Sequence, residues 1–524
     1  MFNAIPLAGS RSPMNVSVVN WKVLQNGSDI RGVALPGIPT EVVNLTPAVV
    51  TQLGKGFTAW LSQRLQKSPE NLTITLGRDS RLSGETLTQA AIAGMTELGV
   101  NVIQVGLAST PAMFMSTVHP VTQADGAIML TASHLPFNRN GLKFFTAQGG
   151  LDKADITAIL ELAAQDEFSS SNQTGSVENL DFMGYYAAGL VDFVRKSVNH
   201  PEQYDQTLQG LKIVVDAGNG AGGFYVDRVL QPLGANTSGS QFLEPDGNFP
   251  NHIPNPENAE AMAAICQAVI ANQADLGIIF DTDVDRGAAV DAQGQALNRN
   301  RLIALLATVI LRDYPGSTIV TDSITSTGLT AFIEQTLGGH HHRFKRGYKN
   351  VINEAIRLNQ TGQDCHLAIE TSGHGAIKEN YFLDDGAYLV TKLLVELAKL
   401  KQTGQSLTDL ITTLPEPKES QEFRIAIRTP DFKTYGNQVI TALETFANNQ
   451  PDWHVVPNNY EGIRVNCTAA TEQGWFLLRL SLHDPVIPLN IEADVTGGIT
   501  LIAERLQRFF EPFSELDLST FDQH

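Results

Sequence analysis

One local plan occurs three times in this chain and constrains its fold more than any other feature. Each copy has a run of β-branched residues, an aspartate (Asp79, Asp216 or Asp322), a turn of small residues and a helical pattern that closes on Leu-Gly. A buried parallel strand that feeds a helix through a short turn has this pattern, and glycine suits the left-handed position after a helix. The copies are too widely spaced for a solenoid, so the repeat predicts three similar α/β domains.

The last part of the chain follows a different plan. A proline-containing segment that begins at Ile411 reads as a linker, and it is followed by strand patterns, turns and one helical pattern. This order is typical of an α+β domain with an antiparallel sheet. The sequence therefore predicts an α/β protein with mixed sheets that ends in a distinct α+β domain.

The composition narrows the range of partners. The 524 residues include 36 Lys and Arg against 55 Asp and Glu, a formal net charge of −19, which argues against nucleic acid and against membrane as partners. The longest apolar stretch, 302–311, is too short to span a bilayer, and the N-terminus lacks a secretory pattern. The three cysteines are scattered, which favours a reducing compartment. We expect a cytoplasmic protein.

The first motif with chemical potential is the segment 126–145, in which an apolar run leads into Thr-Ala-Ser-His and an irregular loop. A serine exposed after a buried strand, here Ser133, suits a nucleophile or a phosphate carrier. A purely structural turn explains the same segment when it is considered alone. Adjacent residues such as Ser133 and His134 rarely align as nucleophile and base.

The second motif is an acidic triplet, Asp281, Asp283 and Asp285, at the end of an apolar strand. Alternate side chains of an extended segment share a face, so we expect the three carboxylates to point the same way and to gather Mg²⁺ or Ca²⁺. An EF-hand is excluded because its glycine and glutamate positions hold Arg286 and Ala292. An acidic surface loop is the alternative. Arg286 adds a forked donor that suits phosphate.

The third motif places Glu370, Ser372 and His374 on a turn after another apolar strand. Short polar groups of this kind can bind sugar hydroxyls through directional hydrogen bonds, although an ordinary turn before a helix explains them equally well.

Basic residues mark two further segments. Arg78 and Arg81 lie at a strand–helix junction that favours an anion, and Lys345, Arg346 and Lys349 lie in a glycine-containing loop. We read the histidine run 340–342 as a solvated loop, because consecutive histidines rarely converge on one ion.

Taken together and in this order, these motifs resemble the α-D-phosphohexomutase family of phosphoglucomutases and phosphomannomutases. The resemblance covers nearly the whole chain, from NGSDIRG through GRDSR, TASH, DAGNGAGG, DTDVDR, GYK and ETSGH to EGIRV and RLS. It implies four domains around a central cleft. The expected bounds are 1–205 with a phosphoserine loop, 206–296 with a metal-binding loop, 297–413 with a sugar-binding loop and 418–524 with a phosphate clamp.

The resemblance also implies roles for single residues. Ser133 would carry the phosphoryl group, and it would join Asp281, Asp283 and Asp285 in holding Mg²⁺. The other implied catalytic residues are Arg78, His134, Lys143 and Arg286, and the implied substrate-binding residues are Arg31, Lys349, Glu370, Ser372, His374, Arg479 and Ser481.

The chain departs from the family pattern mainly at the clamp. Leu482 and His483 stand where the family has glycine and threonine, and Pro488 replaces an arginine that many members carry. Without the glycine, close approach of the backbone to a phosphate is harder. In the serine loop, Leu135 replaces an asparagine. These departures resemble a divergent branch associated with making glucose 1,6-bisphosphate.

The resemblance implies phosphoryl transfer on glucose 1- or 6-phosphate through Ser133 and Mg²⁺, with a hexose 1,6-bisphosphate as donor or activator. The departures favour formation of glucose 1,6-bisphosphate from a donor such as fructose 1,6-bisphosphate. Conventional interconversion of hexose 1- and 6-phosphate is the first alternative. A non-catalytic regulator that binds sugar phosphates is the second, although the intact Ser133 and acidic triplet count against it. A phosphatase with an aspartate nucleophile is the third. In each case the expected partners are small-molecule sugar phosphates.

Overall fold

The structure is a computed structural model that describes residues 19–481 and 484–522. The described chain forms two compact units. The first unit comprises residues 19–106 with 116–180, and the second comprises residues 107–115 with 181–522. One β-sheet lies in the first unit and three lie in the second.

The first unit is built on a mixed sheet in which β3 pairs in parallel with β5 and β5 pairs antiparallel with β6. The strand order is β1-β2-β6-β5-β3-β4-β8, and β7 pairs with β6. The strands are β1 (Gln25–Asn26), β2 (Asp29–Val33), β3 (Thr73–Arg78), β4 (Asn101–Leu107), β5 (Gly126–Leu130), β6 (Arg139–Thr146), β7 (Gly149–Gly150) and β8 (Val177–Asn179).

Helices pack closely beside this sheet. The helices of the first unit are α1 (Pro47–Leu65), α2 (Gly84–Glu97) and α4 (Lys153–Gln165), whereas most of α3 (Thr110–Val118) belongs to the second unit. The Thr46 hydroxyl accepts from the Val49 amide and so caps α1, which begins on a proline. A Cβ at Gly94 of α2 would lie only 2.2 Å from the Thr51 carbonyl of α1, so glycine is required where these helices meet.

The second unit contains three domains in chain order, which we call the second, third and C-terminal domains. The second domain carries a four-stranded sheet in the order β12-β11-β10-β9. Strand β9 is parallel to β10, whereas β11 returns antiparallel to β10. The chain must therefore reverse tightly between β10 and β11, and the acidic triplet lies in that reversal. The elements are α5 (Phe182–Val198), β9 (Ile213–Asp216), α6 (Ala259–Asn272), β10 (Leu276–Phe280), β11 (Gly287–Asp291) and β12 (Ala296–Leu297).

The third domain carries a five-stranded sheet in the order β14-β13-β15-β16-β17. Its central strands are buried along their whole length, as expected for a sheet covered on both faces. The elements are α7 (Arg299–Asp313), β13 (Thr318–Thr321), α8 (Thr327–Ala331), β14 (His340–Arg343), α9 (Tyr348–Gln360), β15 (Cys365–Ile369), β16 (Gly375–Ile377), β17 (Leu383–Asp384) and α10 (Gly386–Thr403).

The prediction of a solvated loop at residues 340–342 is wrong. These residues form β14, which pairs in parallel with β13. The His341 ring lies between the Thr321 and Thr330 hydroxyls at 2.8 Å from each, and burial is the main cause that lowers the pKa of His341 well below its usual range. The run is therefore an edge strand whose middle imidazole is kept neutral by burial and hydrogen-bonds to two hydroxyls.

The C-terminal domain is an antiparallel sheet, as predicted, but it carries two helices where the sequence indicated one. The strand order is β19-β20-β21-β22-β18-β23, and alternate residues of the strands form a core with the helices. The elements are β18 (Glu419–Ile427), α11 (Phe432–Asn448), β19 (Trp453–Val455), β20 (Ile463–Cys467), β21 (Gly474–Leu478), β22 (Val486–Ala493), α12 (Gly498–Phe510) and β23 (Leu516–Asp517).

The threefold repeat is confirmed as strand, aspartate-bearing turn and helical segment. The three aspartates are completely buried, and the glycines that close the copies, Gly99, Gly234 and Gly338, have φ of +92°, +87° and +68°. Asp79 and Asp216 each accept a hydrogen bond from an amide two residues on, so the aspartate stabilises the turn that follows it. No helix in the described residues is long and apolar enough to cross a membrane.

Candidate active site

The serine loop presents Ser133 in a conformation that serine rarely adopts. Ser133 has φ +50°, and its amide donates to the Thr131 hydroxyl at 2.9 Å. Its hydroxyl lies 3.3 Å from Nδ1 of His134, which is exposed. A non-glycine residue held at positive φ is often found at functional sites, where the surrounding structure maintains the strain.

Arg81 is the residue that holds the serine loop in place. Its fully buried guanidinium donates to the carbonyls of Ser133, Leu135, Pro136 and Arg139. It also lies 3.3 Å from the Asp79 carboxylate. The expectation that Arg81 favours an anion is therefore wrong, because these donors are engaged by the protein itself.

Three other basic residues predicted for the site lie in the same unit. Arg31 donates to the Thr131 carbonyl and pairs with Asp29 at 2.8 Å, which brings it to the serine loop. Arg78, at the end of β3, pairs with Glu85. Lys143 is buried on β6 opposite Met129 of β5, the strand that leads into the serine loop.

The acidic turn, residues 281–286, brings three carboxylates together. One oxygen from each of Asp281, Asp283 and Asp285 lies within 4.8 Å of the others, and all three residues are almost completely buried. Convergence is as predicted, but its cause is different. The residues form a tight turn rather than an extended strand, with β-branched Val284 at φ +67° in its centre. Such a residue at positive φ costs on the order of 1–3 kcal/mol, and the surrounding packing must supply that energy.

Neighbouring segments hold the acidic turn from several sides. The Thr110 hydroxyl donates to an Asp283 carboxylate oxygen, and the Thr110 amide donates to the Asp283 carbonyl at 2.8 Å. A Cβ at Gly220 would lie 2.6 Å from the Thr282 carbonyl, so the DAGNGAGG loop needs glycine to pack against the turn.

Arg286 lies against the triplet. Its Nε and Nη2 donate to Asp281 at 3.2 and 3.1 Å, and its Nη1 donates to the Asn255 side chain at 3.0 Å. Burial, followed by repulsion from Asp285 and Asp283, raises the pKa of Asp281 well above its usual range despite Arg286. Buried carboxylates that repel one another are a donor set that fits a hard divalent cation.

The predicted sugar loop joins the acidic turn through the backbone. Arg286 forms an isolated β-bridge with His374, whose Nδ1 lies 2.7 Å from Asp384 and 3.8 Å from Asp285. Burial opposes a charge on His374, but the Asp384 and Asp285 carboxylates outweigh it and raise its pKa to about 9. A cationic imidazole therefore lies beside the acidic turn.

Glu370 and Ser372 lie in the same loop and hydrogen-bond to each other at 3.3 Å. Glu370 also accepts from the Gly347 amide, which ties the GYK segment to this loop. Burial, followed by repulsion from Asp322, raises the pKa of Glu370 to about 7. Lys349 lies in the first turn of α9 rather than in the preceding loop.

The clamp of the C-terminal domain is described only in part. Arg479 is buried, and its amide donates to the Pro488 carbonyl on β22. Burial is the main cause that lowers the pKa of Arg479, and nearby Arg346 adds to that effect. The Ser481 hydroxyl accepts from the Asp484 amide at 3.2 Å. Leu482 and His483, where the clamp departs most from the family, lie outside the described residues.

Sequence reasoning missed Thr110, Asn255 and Asp384. Thr110 is 173 positions from Asp283, and Asn255 is 31 positions from Arg286. Tertiary contacts rather than a local motif bring Thr110 and Asn255 to their partners, so no local spacing marks them. The available signal is weak: Thr110 and Asn255 are polar residues next to a proline, and Asp384 lies two residues before a glycine.

Comparison with known proteins identifies the domains in order. Residues 22–170, 190–294 and 298–417 match the descriptions "Phosphoglucomutase/phosphomannomutase, alpha/beta/alpha domain" I, II and III. A phosphomannomutase/phosphoglucomutase of Pseudomonas putida is 34% identical over 82% of this chain and 86% of its own length. One of Pseudomonas syringae is 31% identical over 95% of this chain and 96% of its own length.

Solved structures agree with this assignment. A phosphoglucomutase/phosphomannomutase family protein from Burkholderia thailandensis superposes with a TM-score of 0.75 and 28% identity, covering 94% of this chain and 98% of its own. A structure described as a phosphomannomutase from Thermus thermophilus shares the fold, with a TM-score of 0.68 and 19% identity over 93% of this chain and 99% of its own. The three matched domains, the C-terminal sheet and the acidic turn lead to one conclusion: the chain is an enzyme of the α-D-phosphohexomutase family, the family of phosphoglucomutases and phosphomannomutases.

Proposed function

We propose that this enzyme transfers phosphoryl groups to and from hexose phosphates through Ser133, with Mg²⁺ at the acidic turn. The convergence of three buried carboxylates beside Arg286 is the observation that carries this proposal. Phosphoryl transfer needs accurate positioning and neutralisation of negative charge more than elaborate covalent chemistry.

Asp281, Asp283 and Asp285 would hold the metal ion, together with the phosphorylated Ser133. When bound, Mg²⁺ neutralises the charge of the phosphoryl group and polarises it. Arg286 contributes a fixed guanidinium beside this site, because Asp281 and Asn255 set its orientation. Thr110 keeps the Asp283 carboxylate in one position.

The phosphoryl group would move in two balanced steps. In the first, a hydroxyl of the bound hexose monophosphate attacks the phosphorus on Ser133, the bond between phosphorus and Oγ breaks, and the proton of the sugar hydroxyl ends on Oγ. In the second, Oγ attacks a phosphate of the resulting bisphosphate, and the proton of Oγ passes to the released sugar oxygen. The Arg81 contacts hold the loop that presents Oγ in both steps.

Glu370, Ser372 and His374 would bind the sugar hydroxyls, and Arg31, Lys349, Arg479 and Ser481 would bind the substrate phosphates. Glu370 is buried and its pKa is raised to about 7, so near neutral pH it can donate or accept a hydrogen bond. His374, whose pKa is raised to about 9, donates. This mixture of donors and acceptors suits a ring of hydroxyl groups.

We further propose that the enzyme forms glucose 1,6-bisphosphate from a donor such as fructose 1,6-bisphosphate. The clamp supports this outcome because it lacks the glycine, the threonine and the downstream arginine of the family pattern. A weak hold on the distal phosphate favours release of the bisphosphate before it reorients. Conventional interconversion of hexose 1- and 6-phosphate is the second candidate, which the names of the relatives favour.

The experiment is incubation of the purified enzyme with glucose 6-phosphate and Mg²⁺, with and without fructose 1,6-bisphosphate, followed by chromatographic identification of products. We expect glucose 1,6-bisphosphate to accumulate only when the donor is present. Rapid formation of glucose 1-phosphate without accumulation of bisphosphate would instead support the mutase. No transfer under either condition, also with mannose and glucosamine phosphates, would refute phosphoryl transfer on hexose phosphates.

A further inference from the structure

A cleft of about 480 Å³ in the second unit is lined by three arginines that approach it from different elements. Arg299 begins α7, Arg346 precedes α9, and Arg424 lies on β18. Thr371 of the predicted sugar loop also lines the cleft. A space of this size accommodates a hexose with its phosphates.

Two of the three arginines already have acidic partners. Arg424 lies 3.2 Å from Glu422 and 3.8 Å from Asp484. Arg346 lies 3.8 Å from Glu257 and 3.9 Å from Asp322. Their positive charges are therefore largely balanced within the protein.

Arg299 differs from both. It is exposed, and within residues 19–481 and 484–522 its side chain has no hydrogen bond and no ion pair. It therefore contributes a positive charge that no ion pair neutralises, in a cleft that Glu257, Glu422 and Glu492 also line. Arg346 lines the same cleft, and its positive charge contributes to lowering the pKa of the clamp residue Arg479.

The backbone of Arg299 is also unusual. Its φ is +49°, a left-handed conformation that glycine adopts far more readily than arginine. Arg299 also lines a small recess together with Glu257 and with Thr371, Ser372 and Gly373 of the predicted sugar loop. A strained conformation that persists next to a predicted substrate loop indicates a functional position.

Two further groups of the cleft lack partners in the described part of the chain. The Gln421 Nε2 donor and the Asn490 Oδ1 acceptor are buried and make no hydrogen bond there. Buried polar atoms of this kind are rare unless a ligand or water satisfies them. One donor, one acceptor and one free guanidinium match the chemistry of a sugar phosphate.

We propose that Arg299 binds the phosphate of the hexose phosphate that is not being transferred, and so replaces part of the charge that the altered clamp has lost. A guanidinium binds phosphate through two parallel hydrogen bonds, and no carboxylate of the described residues forms an ion pair with Arg299. This inference rests on the proposed function, because it takes a hexose phosphate to be the ligand of the cleft.

The test compares the full-length variants Arg299→Gly and Arg299→Lys with the wild-type enzyme. Glycine removes the charge but fits the left-handed backbone, so the fold is retained. Lysine keeps the positive charge but cannot form the two parallel hydrogen bonds of a guanidinium. Gln273→Gly is the matched control, because Gln273 is exposed at φ +51° after α6 and does not line the cleft. Calorimetry measures the Kd for glucose 6-phosphate and for fructose 1,6-bisphosphate, and thermal unfolding checks the fold.

We expect Arg299→Gly to raise both Kd values about tenfold, with Arg299→Lys in between and the control unchanged. Both Kd values within about twofold of wild type would overturn the proposal. A rise for only one ligand would also overturn it, because the phosphate in question is common to both. A wild-type enzyme that binds both ligands but transfers no phosphoryl group would refute the proposed function, and the binding comparison would still decide the role of Arg299.

Discussion

The acidic turn and the clamp differ in how completely the protein itself has built them. Every aspartate of the acidic turn is buried, and Thr110, Asn255 and Arg286 hold the turn through side-chain hydrogen bonds. At the clamp, the buried Nε of Arg479 has no hydrogen-bond partner among the described residues. The Ser481 hydroxyl is engaged by the amide of Asp484, an exposed acidic residue.

The two regions have different proposed tasks: the acidic turn serves phosphoryl transfer, and the clamp holds the distal phosphate. The groups proposed to perform the chemistry are fixed before a substrate arrives, as electrostatic stabilisation of a transition state requires. Arg479, proposed to hold the distal phosphate, retains an unpartnered buried Nε among the described residues, and the clamp positions around it have changed most relative to the family. We infer that sequence change in this chain has altered how long the intermediate stays bound and has left the transfer step intact.

The largest effect is expected at the acidic turn. Asp283→Asn should lower kcat/KM for phosphoryl transfer roughly a thousandfold, because one charged metal ligand is lost. It should also raise the thermal stability of the metal-free protein, because repulsion among the three carboxylates is relieved. Asp291→Asn is the control, since Asp291 caps a turn after β11, outside the acidic turn. Activity near wild type for Asp283→Asn would mean that the turn is structural.

A smaller effect is expected at Thr110, which contacts the acidic turn. Thr110→Val removes the hydroxyl that donates to Asp283 and should raise the half-saturating Mg²⁺ concentration about tenfold, whereas Thr110→Ser should restore it. The measurement is a Mg²⁺ titration of activity, supported by thermal shift with and without the ion. An unchanged requirement in the valine variant would show that the hydroxyl does not position the ligand.

A change at the clamp should redirect products rather than abolish activity. The double substitution Leu482→Gly with His483→Thr restores the family pattern, and glycine allows closer approach of the backbone to phosphate. We expect the ratio of released bisphosphate to isomerised monophosphate to fall by about three- to tenfold, as measured by product chromatography. A constant ratio would show that the clamp does not control release of the bisphosphate.

The smallest effect concerns pH and the stability of the C-terminal domain. Burial raises the pKa of Glu492 to about 7, although Trp475 and Arg464 oppose the shift. The folded state keeps this proton while the unfolded state releases it near its ordinary pKa of about 4.3. Stability should therefore fall as pH rises from about 4.3 to about 7 and then stay level.

Urea unfolding followed by tryptophan fluorescence measures this dependence. Glu492→Gln should flatten it, because the neutral amide can still accept from Trp475, which donates to Glu492 at 2.8 Å. An equally steep dependence in the variant would assign the titration to another group.

The order of secondary structure was predictable because each repeat is local. The strand, the buried aspartate and the closing glycine lie within one segment. The periodicity of apolar residues and the small residues of the turn therefore indicate them. The convergence of the acidic triplet was predictable for the same reason. Its shape was not, because the turn at Val284 depends on β11 returning antiparallel to β10.

Errors arose where partners are distant in sequence. Residues 340–342 form a strand only because β13 lies beside them. Arg81 turned out to be an internal support because the carbonyls it binds belong to a loop more than 50 positions away. No sequence motif marks Arg299, because its position in a cleft depends on elements of several domains.

The most direct test of the account is mass spectrometry of the peptide that contains Ser133. The purified enzyme is incubated with fructose 1,6-bisphosphate and Mg²⁺, sampled, and then given glucose 6-phosphate, with Ser133→Ala as the control. We predict that Ser133 carries one phosphoryl group after incubation with the donor and loses it after glucose 6-phosphate is added. Glucose 1,6-bisphosphate should appear in a matching amount. A peptide that never carries phosphate while the Ser133→Ala variant retains full activity would contradict it.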